Sequence, residues 1–162
     1  MVYLGGWRDR VQHVHRDSAV PGSEKQVITI TIPADKGILI VEDNEERLEW
    51  FRTVLSGMRY QICTSPQEAL TWLNSWTPDV VFLDHDCVQR FVDPSDPDFN
   101  NLTFFRVAQQ LVKDNFDGLV IVHSGNPVGA KRMADLISDR SEAKVVIAPF
   151  GTFKIEKTCV RD

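Results

Sequence analysis

The sequence predicts a three-layer α/β sandwich around a five-stranded parallel sheet, preceded by an N-terminal β extension. Three observations carry this. From Lys36 onward, short apolar runs alternate with segments of helical period. Those runs are continuously apolar, as strands covered on both faces are. Strand–helix alternation of this kind favours parallel strands, whose right-handed crossovers place helices on both faces.

The elements follow in order. The run GILIV, ending in Glu42, reads as the first strand. Asp43 and Glu46 have the spacing of a helix start, and Asn44 could cap equally well. Leu48, Phe51 and Leu55 then share one helical face until Gly57 stops it. Arg59 to Cys63 is a second, shorter strand. Ser65, Pro66 and Glu68 form a cap, a first-turn proline and an N3 acid, opening a helix that buries Ala69, Leu70 and Leu73 and ends near Trp76. Asp79 to Asp84 is the third strand. A long polar connection from Asp86 to Asn101 follows, with Asn101 as a cap for a helix carrying Leu102, Phe105, Ala108 and Leu111 or Val112. Leu119 to Val122 is the fourth strand, Gly129 to about Asp139 a helix, and Lys144 to Ile147 the fifth strand.

Residues 1–35 differ from the rest and are taken as an extension, with 36–162 as the main domain. Val27 to Ile32 alternates like a half-buried strand, and Trp7 to Asp17 alternates loosely. A β-hairpin or an added edge strand, turning at Pro21-Gly22, fits this pattern.

Composition bounds the function. The chain has 162 residues, 43% hydrophobic and 25% charged, enough for one well-packed domain. A net charge of −5 disfavours general nucleic-acid binding, which needs a basic surface, but leaves room for a single nucleotide in a pocket. The apolar runs are too short to span a bilayer, and the N-terminus lacks the apolar core of a signal peptide. Cys63, Cys87 and Cys159 are odd in number and widely spaced, which fits reduced thiols and a cytoplasmic location.

In an open parallel sheet, ligands bind beyond the carboxyl ends of the strands, where the order reverses. The first strand ends in Glu42-Asp43, the third in Asp84-His85-Asp86, and the fourth in His123-Ser124-Gly125-Asn126. If the strand order is 2-1-3-4-5, these ends are neighbours, and four carboxylates, two imidazoles, a hydroxyl and an amide converge. Each has an ordinary reading: Asp43 as a helix cap, each histidine as a structural hydrogen-bonding residue, Asn126-Pro127 as the start of a helix. His13 and His15 read as surface residues. Together, the carboxylates need a compensating cation. Glu42, Asp43, Asp84 and Asp86 offer oxygen ligands suited to Mg²⁺ or Mn²⁺, and an added imidazole extends the choice to Zn²⁺ or iron. His85 or His123 can serve as general acid or base. Ser124, Gly125, Asn126 and Gly129 open a helix, and its N-terminal amides suit phosphate.

The motifs "ILIVEDN" and "PDVVFLD" resemble the receiver domain of bacterial response regulators over roughly residues 37–150. Receivers carry a lysine before a proline after the fifth strand, where this chain has Ala148-Pro149 in "VVIAPFG". A narrower resemblance, through "LDHD" and "HSGNPVGAKRMADLI", is to the cyclic-phosphate-processing receiver-like family. It implies a receiver (flavodoxin-like) fold of sheet order 2-1-3-4-5 carrying a phosphoester-hydrolysing site, which the carboxylate cluster would make metal-dependent. The matching positions are Asp43, Asp84, His85, Asp86, His123, Ser124 and Asn126. A small phosphorylated or nucleotide ligand is then the expected partner, alongside a signalling protein. The rival readings are a receiver phosphorylated on Asp84 and a non-catalytic nucleotide- or protein-binding module.

Overall fold

The computed structural model describes residues 27–86, 95 and 103–159. The polar connection around 87–102, the cap at Asn101, Cys87, and the N-terminal segment with Trp7, Pro21-Gly22, His13 and His15 lie outside these residues. Seven strands are described: β1 (Ile28–Pro33), β2 (Gly37–Val41), β3 (Arg59–Cys63), β4 (Val80–Leu83), β5 (Leu119–Val122), β6 (Lys144–Ile147) and β7 (Phe153–Thr158). The described residues also form four helices, α1 (Glu45–Val54), α2 (Pro66–Ser75), α3 (Phe105–Lys113) and α4 (Pro127–Arg140).

Strands β2 to β6 form one parallel sheet in the order β3-β2-β4-β5-β6, which is the predicted order in the sheet's own sequence. Its three central strands are buried at every position. The pleat divides their side chains between two cores. Leu39, Val41, Val81, Leu83, Val120 and Val122 face α2, α3 and α4. Ile38, Ile40, Val80, Phe82, Leu119 and Ile121 face α1. An uninterrupted apolar run is therefore the sequence of a strand covered twice.

The α1 face is completed by β1 and β7. These two pair in parallel as a separate sheet, so β1 is not an edge strand of the main sheet. Ile30, Ile32 and Phe153 are buried in the same core as Phe51 and Phe82. After β6 the chain thus runs into a strand that lies over this core beside Trp50 and Phe150.

Local signals explain most boundaries. Asn44, not Asp43, caps α1, its side chain accepting from the Arg47 amide at 3.0 Å. Gly57, just beyond α1, has φ +81°, a conformation that costs glycine little. Ser65 caps α2 and Pro66 occupies its first turn. Asn126 caps α4, and Pro127 starts it two residues before the expected Gly129, because proline's fixed φ suits a first turn. Helix α3 begins at Phe105, after the expected Leu102, with Thr103 Oγ1 accepting the Phe105 amide at 3.3 Å. Burial first, then the nearby Glu68 charge, pushes the Cys63 thiol up to about 12.

Candidate functional site

The hydrogen-bond ladders continue one residue beyond the strands. Glu42 N bonds Cys63 O, Asp84 N bonds Val41 O, His123 N bonds Leu83 O, and Ala148 N bonds Val122 O, all within 3.1 Å. Glu42, Asp84, His123 and Ala148 therefore form one row across the carboxyl end of the sheet. By the period of two they share the side that faces α1. Ala148, standing where receivers carry a lysine, belongs to the α1-side core.

Glu42 is the anchor of this row and is completely buried. Its Oε1 accepts the amides of Asp43 (2.9 Å) and Asn44 (2.8 Å). Its Oε2 meets His123 Nε2 at 3.0 Å and Arg47 Nη1 at 3.3 Å. Burial alone would raise its pKa. The His123 hydrogen bond, the Asn44 amide and the charges of His123 and Arg47 outweigh burial and hold it below the usual value. His123 is equally buried, edge-on to Phe51 at 5.5 Å between ring centroids, and its Nδ1 has no hydrogen-bond partner.

Asp84 accepts the His85 amide at 2.8 Å and faces Arg47 Nη1 at 3.5 Å. Burial, and next the charge of Glu42, raise its pKa, against the opposing effects of His123, the His85 amide and the Ser124 hydroxyl. Glu42, Asp43 and Asp84 can each direct one oxygen so that the three lie within 4.8 Å of one another. Oxygen donors at this spacing fit a hard divalent cation.

Asp86 stands apart from that trio. Its half-exposed carboxylate meets His85 Nδ1 at 2.6 Å and Asn126 Nδ2 at 3.3 Å. The His85 ring is buried beneath the first turn of α4, where a Cβ on Gly129 would come within 2.5 Å of it. Gly129 thus makes room for a ring. The loop before α4 also satisfies its own amides: Asn126 N donates to Ser124 Oγ at 3.1 Å, and Gly129 N to Asn126 Oδ1 at 3.0 Å. Gly125 is exposed, and Arg47 Nη2 lies 4.0 Å from where its Cβ would sit.

Arg47 is the residue that sequence reasoning missed. It occupies the third position of α1, pairs with both buried carboxylates, and lies 5.4 Å above the Phe150 ring. The available signal was an arginine in the first turn of the helix that follows the Glu42-Asp43 strand end.

Among the described residues, no helix is long and apolar enough to cross a membrane. Comparison with known proteins finds the same architecture elsewhere. The signal receiver domain of a protein described as a Luxo repressor, from Vibrio parahaemolyticus, superposes with a TM-score of 0.50 at 15% identity, over 73% of this chain and 82% of that one. The response regulator TrrA from Thermotoga maritima, solved in complex with Mg²⁺-BeF, gives 0.49 at 23% identity, over 72% and 89%. A CheY-like receiver domain protein from Methanospirillum hungatei gives 0.49 at 14%, over 73% and 85%. No curated protein matches the sequence. The model of one family, described as the cyclic-phosphate processing receiver domain, matches residues 37–139, which hold every residue of the row except Ala148. By that match over more than half its length, the chain belongs to the cyclic-phosphate processing receiver domain family.

Proposed function

We propose that this domain hydrolyses a phosphoester, with a cyclic phosphate as the substrate class and Mg²⁺ or Mn²⁺ as the cofactor. The observation that carries the reading is the Glu42, Asp43 and Asp84 trio, two of its members buried, at the carboxyl edge of the sheet. Ionised carboxylates this close repel one another unless a cation lies among them. The family's description names cyclic phosphates and supports the substrate class.

A divalent cation held there supplies Lewis acidity to a phosphoryl oxygen and acidity to a water. The protein's own groups set the stage. His123 fixes Glu42 by a buried hydrogen bond, and Ser124 donates to Asp84, so two of the three carboxylates are oriented. His123 therefore acts as a positioning residue through Glu42. Hydrolysis adds water across one P–O bond, the water's second proton passes to the leaving oxygen, and a phosphomonoester remains.

The test is turnover of 2′,3′- and 3′,5′-cyclic nucleotides and of a linear diester by the purified protein with each metal. The expected result is metal-dependent release of monoester, lost in Asp43→Asn and Asp84→Asn. No turnover with any of these substrates would overturn the reading. Mg²⁺-dependent labelling of Asp84 by acetyl phosphate would then point to a phosphoacceptor, and tight nucleotide binding alone to a binding module.

A further inference from the structure

Four donors already surround Glu42: the amides of Asp43 and Asn44, His123 Nε2 and Arg47 Nη1. A carboxylate has about four lone-pair positions, so Glu42 is saturated as it stands. Three of those donors are fixed by backbone or by burial. Arg47 alone is on a long side chain with partial exposure, 29%, and its guanidinium also faces Asp84. Of the four donors it alone can withdraw without moving backbone or core.

A second gap lies across the row. Position 148 carries a buried methyl group with no charge to offer an anion. The α4 loop cannot fully replace that charge, because the amides of Asn126 and Gly129 are engaged by the loop's own side chains. Two residues beyond Ala148, the Phe150 ring lies beneath the Arg47 guanidinium. Arg47 Nη2 lies 4.0 Å from where a Cβ on Gly125 would sit, so the missing side chain leaves that approach open.

We propose that Arg47 has two alternating roles: counter-ion to Glu42 and Asp84 in the metal-free pocket, and phosphoryl ligand once a divalent cation takes those carboxylates. This deepens the phosphoester reading and rests on it. An arginine from α1, resting on Phe150, takes the place of a lysine from the end of β6. The planar fork of a guanidinium suits two phosphoryl oxygens at once, and stacking on Phe150 keeps it close when its carboxylate partners are occupied.

The two roles predict effects of opposite sign from one substitution. Arg47→Ala removes a competing positive charge, so Mn²⁺, followed by electron paramagnetic resonance, binds about three- to tenfold more tightly than to wild type. The same variant, saturated with Mg²⁺ and titrated calorimetrically with orthophosphate, binds it at least about tenfold more weakly. Arg47→Lys keeps the charge, holds Mn²⁺ affinity near wild type, and recovers part of the phosphate affinity. If Arg47→Ala fails to tighten Mn²⁺, or keeps wild-type phosphate affinity, the proposal is overturned. A wild-type protein that binds neither probe overturns it as well. Neither measurement reads turnover, so both binding signatures without hydrolysis would sink the catalytic function alone.

Discussion

Nε2 of His123 lies 3.0 Å from Oε2 of Glu42, and both side chains are sealed from solvent. A buried charge that loses its partner costs far more than an exposed pair contributes. His123→Ala leaves Glu42 with Arg47 and two amides, and opens a void beside Phe51 and Phe82. The expected loss is about 3–5 kcal/mol in urea unfolding. His123→Gln, which can still donate, recovers part of it. A loss below about 1 kcal/mol for the alanine variant would mean that the pair does not anchor the row.

Asp84 points the other way. Its carboxyl is raised by burial and by Glu42, so the folded protein holds that proton more firmly than the unfolded chain. Ionised Asp84 is then a penalty at neutral pH, relieved as pH falls through its raised folded value and absent below its ordinary value of 3.8. Glu42 has the opposite linkage: its stabilisation is present above the ordinary 4.5 and lost as pH falls through its depressed folded value. Asp84→Asn is therefore expected to raise the metal-free Tm at pH 7 by about 2–4 °C, as roughly 1 kcal/mol does in a domain of this size. The gain shrinks toward pH 4, where wild-type Asp84 takes up its proton and the penalty disappears. Thermal melts from pH 4 to 8 with chelator test the sign, and added Mn²⁺ should stabilise wild type more than the variant.

Gly129 and Gly125 differ in what an added side chain would meet. A methyl group at 129 would sit 2.5–2.7 Å from three atoms of the His85 ring, whereas at 125 the nearest atom is 4.0 Å away. Gly129→Ala is expected to cost about 1–3 kcal/mol through overpacking, and Gly125→Ala less than about 1 kcal/mol. Adding His85→Ala to Gly129→Ala removes the clash, so the double variant should be more stable than the sum of its parts. Strict additivity in this cycle would place the ring elsewhere.

The sheet was legible, and with it the strand ends that carry the candidate site, because each rests on local pattern. Apolar runs such as VVFL announce strands buried on both faces, and their acidic or histidine-bearing ends fix the crevice once the order is known. Asn44 and Asp43 were not separable as caps, since both side chains can accept an amide one turn ahead. Arg47 was hidden for a different reason: its role depends on a partner 37 residues away, Asp84, and on Phe150 beyond the last strand of the main sheet. His85 and Asp86 stood with Asp84 in one triplet expected to face the same crevice. The backbone leaving β4 sends His85 under α4 and Asp86 toward Asn126, which only tertiary structure reveals. Strand β7 went unread because FKIEKT alternates around charged residues and pairs with a strand 125 positions earlier.

That long-range pairing yields the last prediction. Residues 28–33 lie in the segment read as an extension, yet Ile30 and Ile32 are buried with Phe51, Phe82 and Phe153 in a single cluster. Ile32 is 1% exposed, and its truncation leaves a cavity over the α1-side core. Ile32→Ala is expected to cost about 2–4 kcal/mol and to lower one cooperative transition, without splitting it in two. Tryptophan fluorescence and far-ultraviolet circular dichroism should report the same midpoint, because Trp50 lies edge-on to Phe153 at 5.5 Å. An early, separate fluorescence change with the main transition unmoved would make the β1–β7 pair an accessory flap. Coincident transitions would make it the structural element that completes the α1 face, behind the row formed by Glu42, Asp84 and His123.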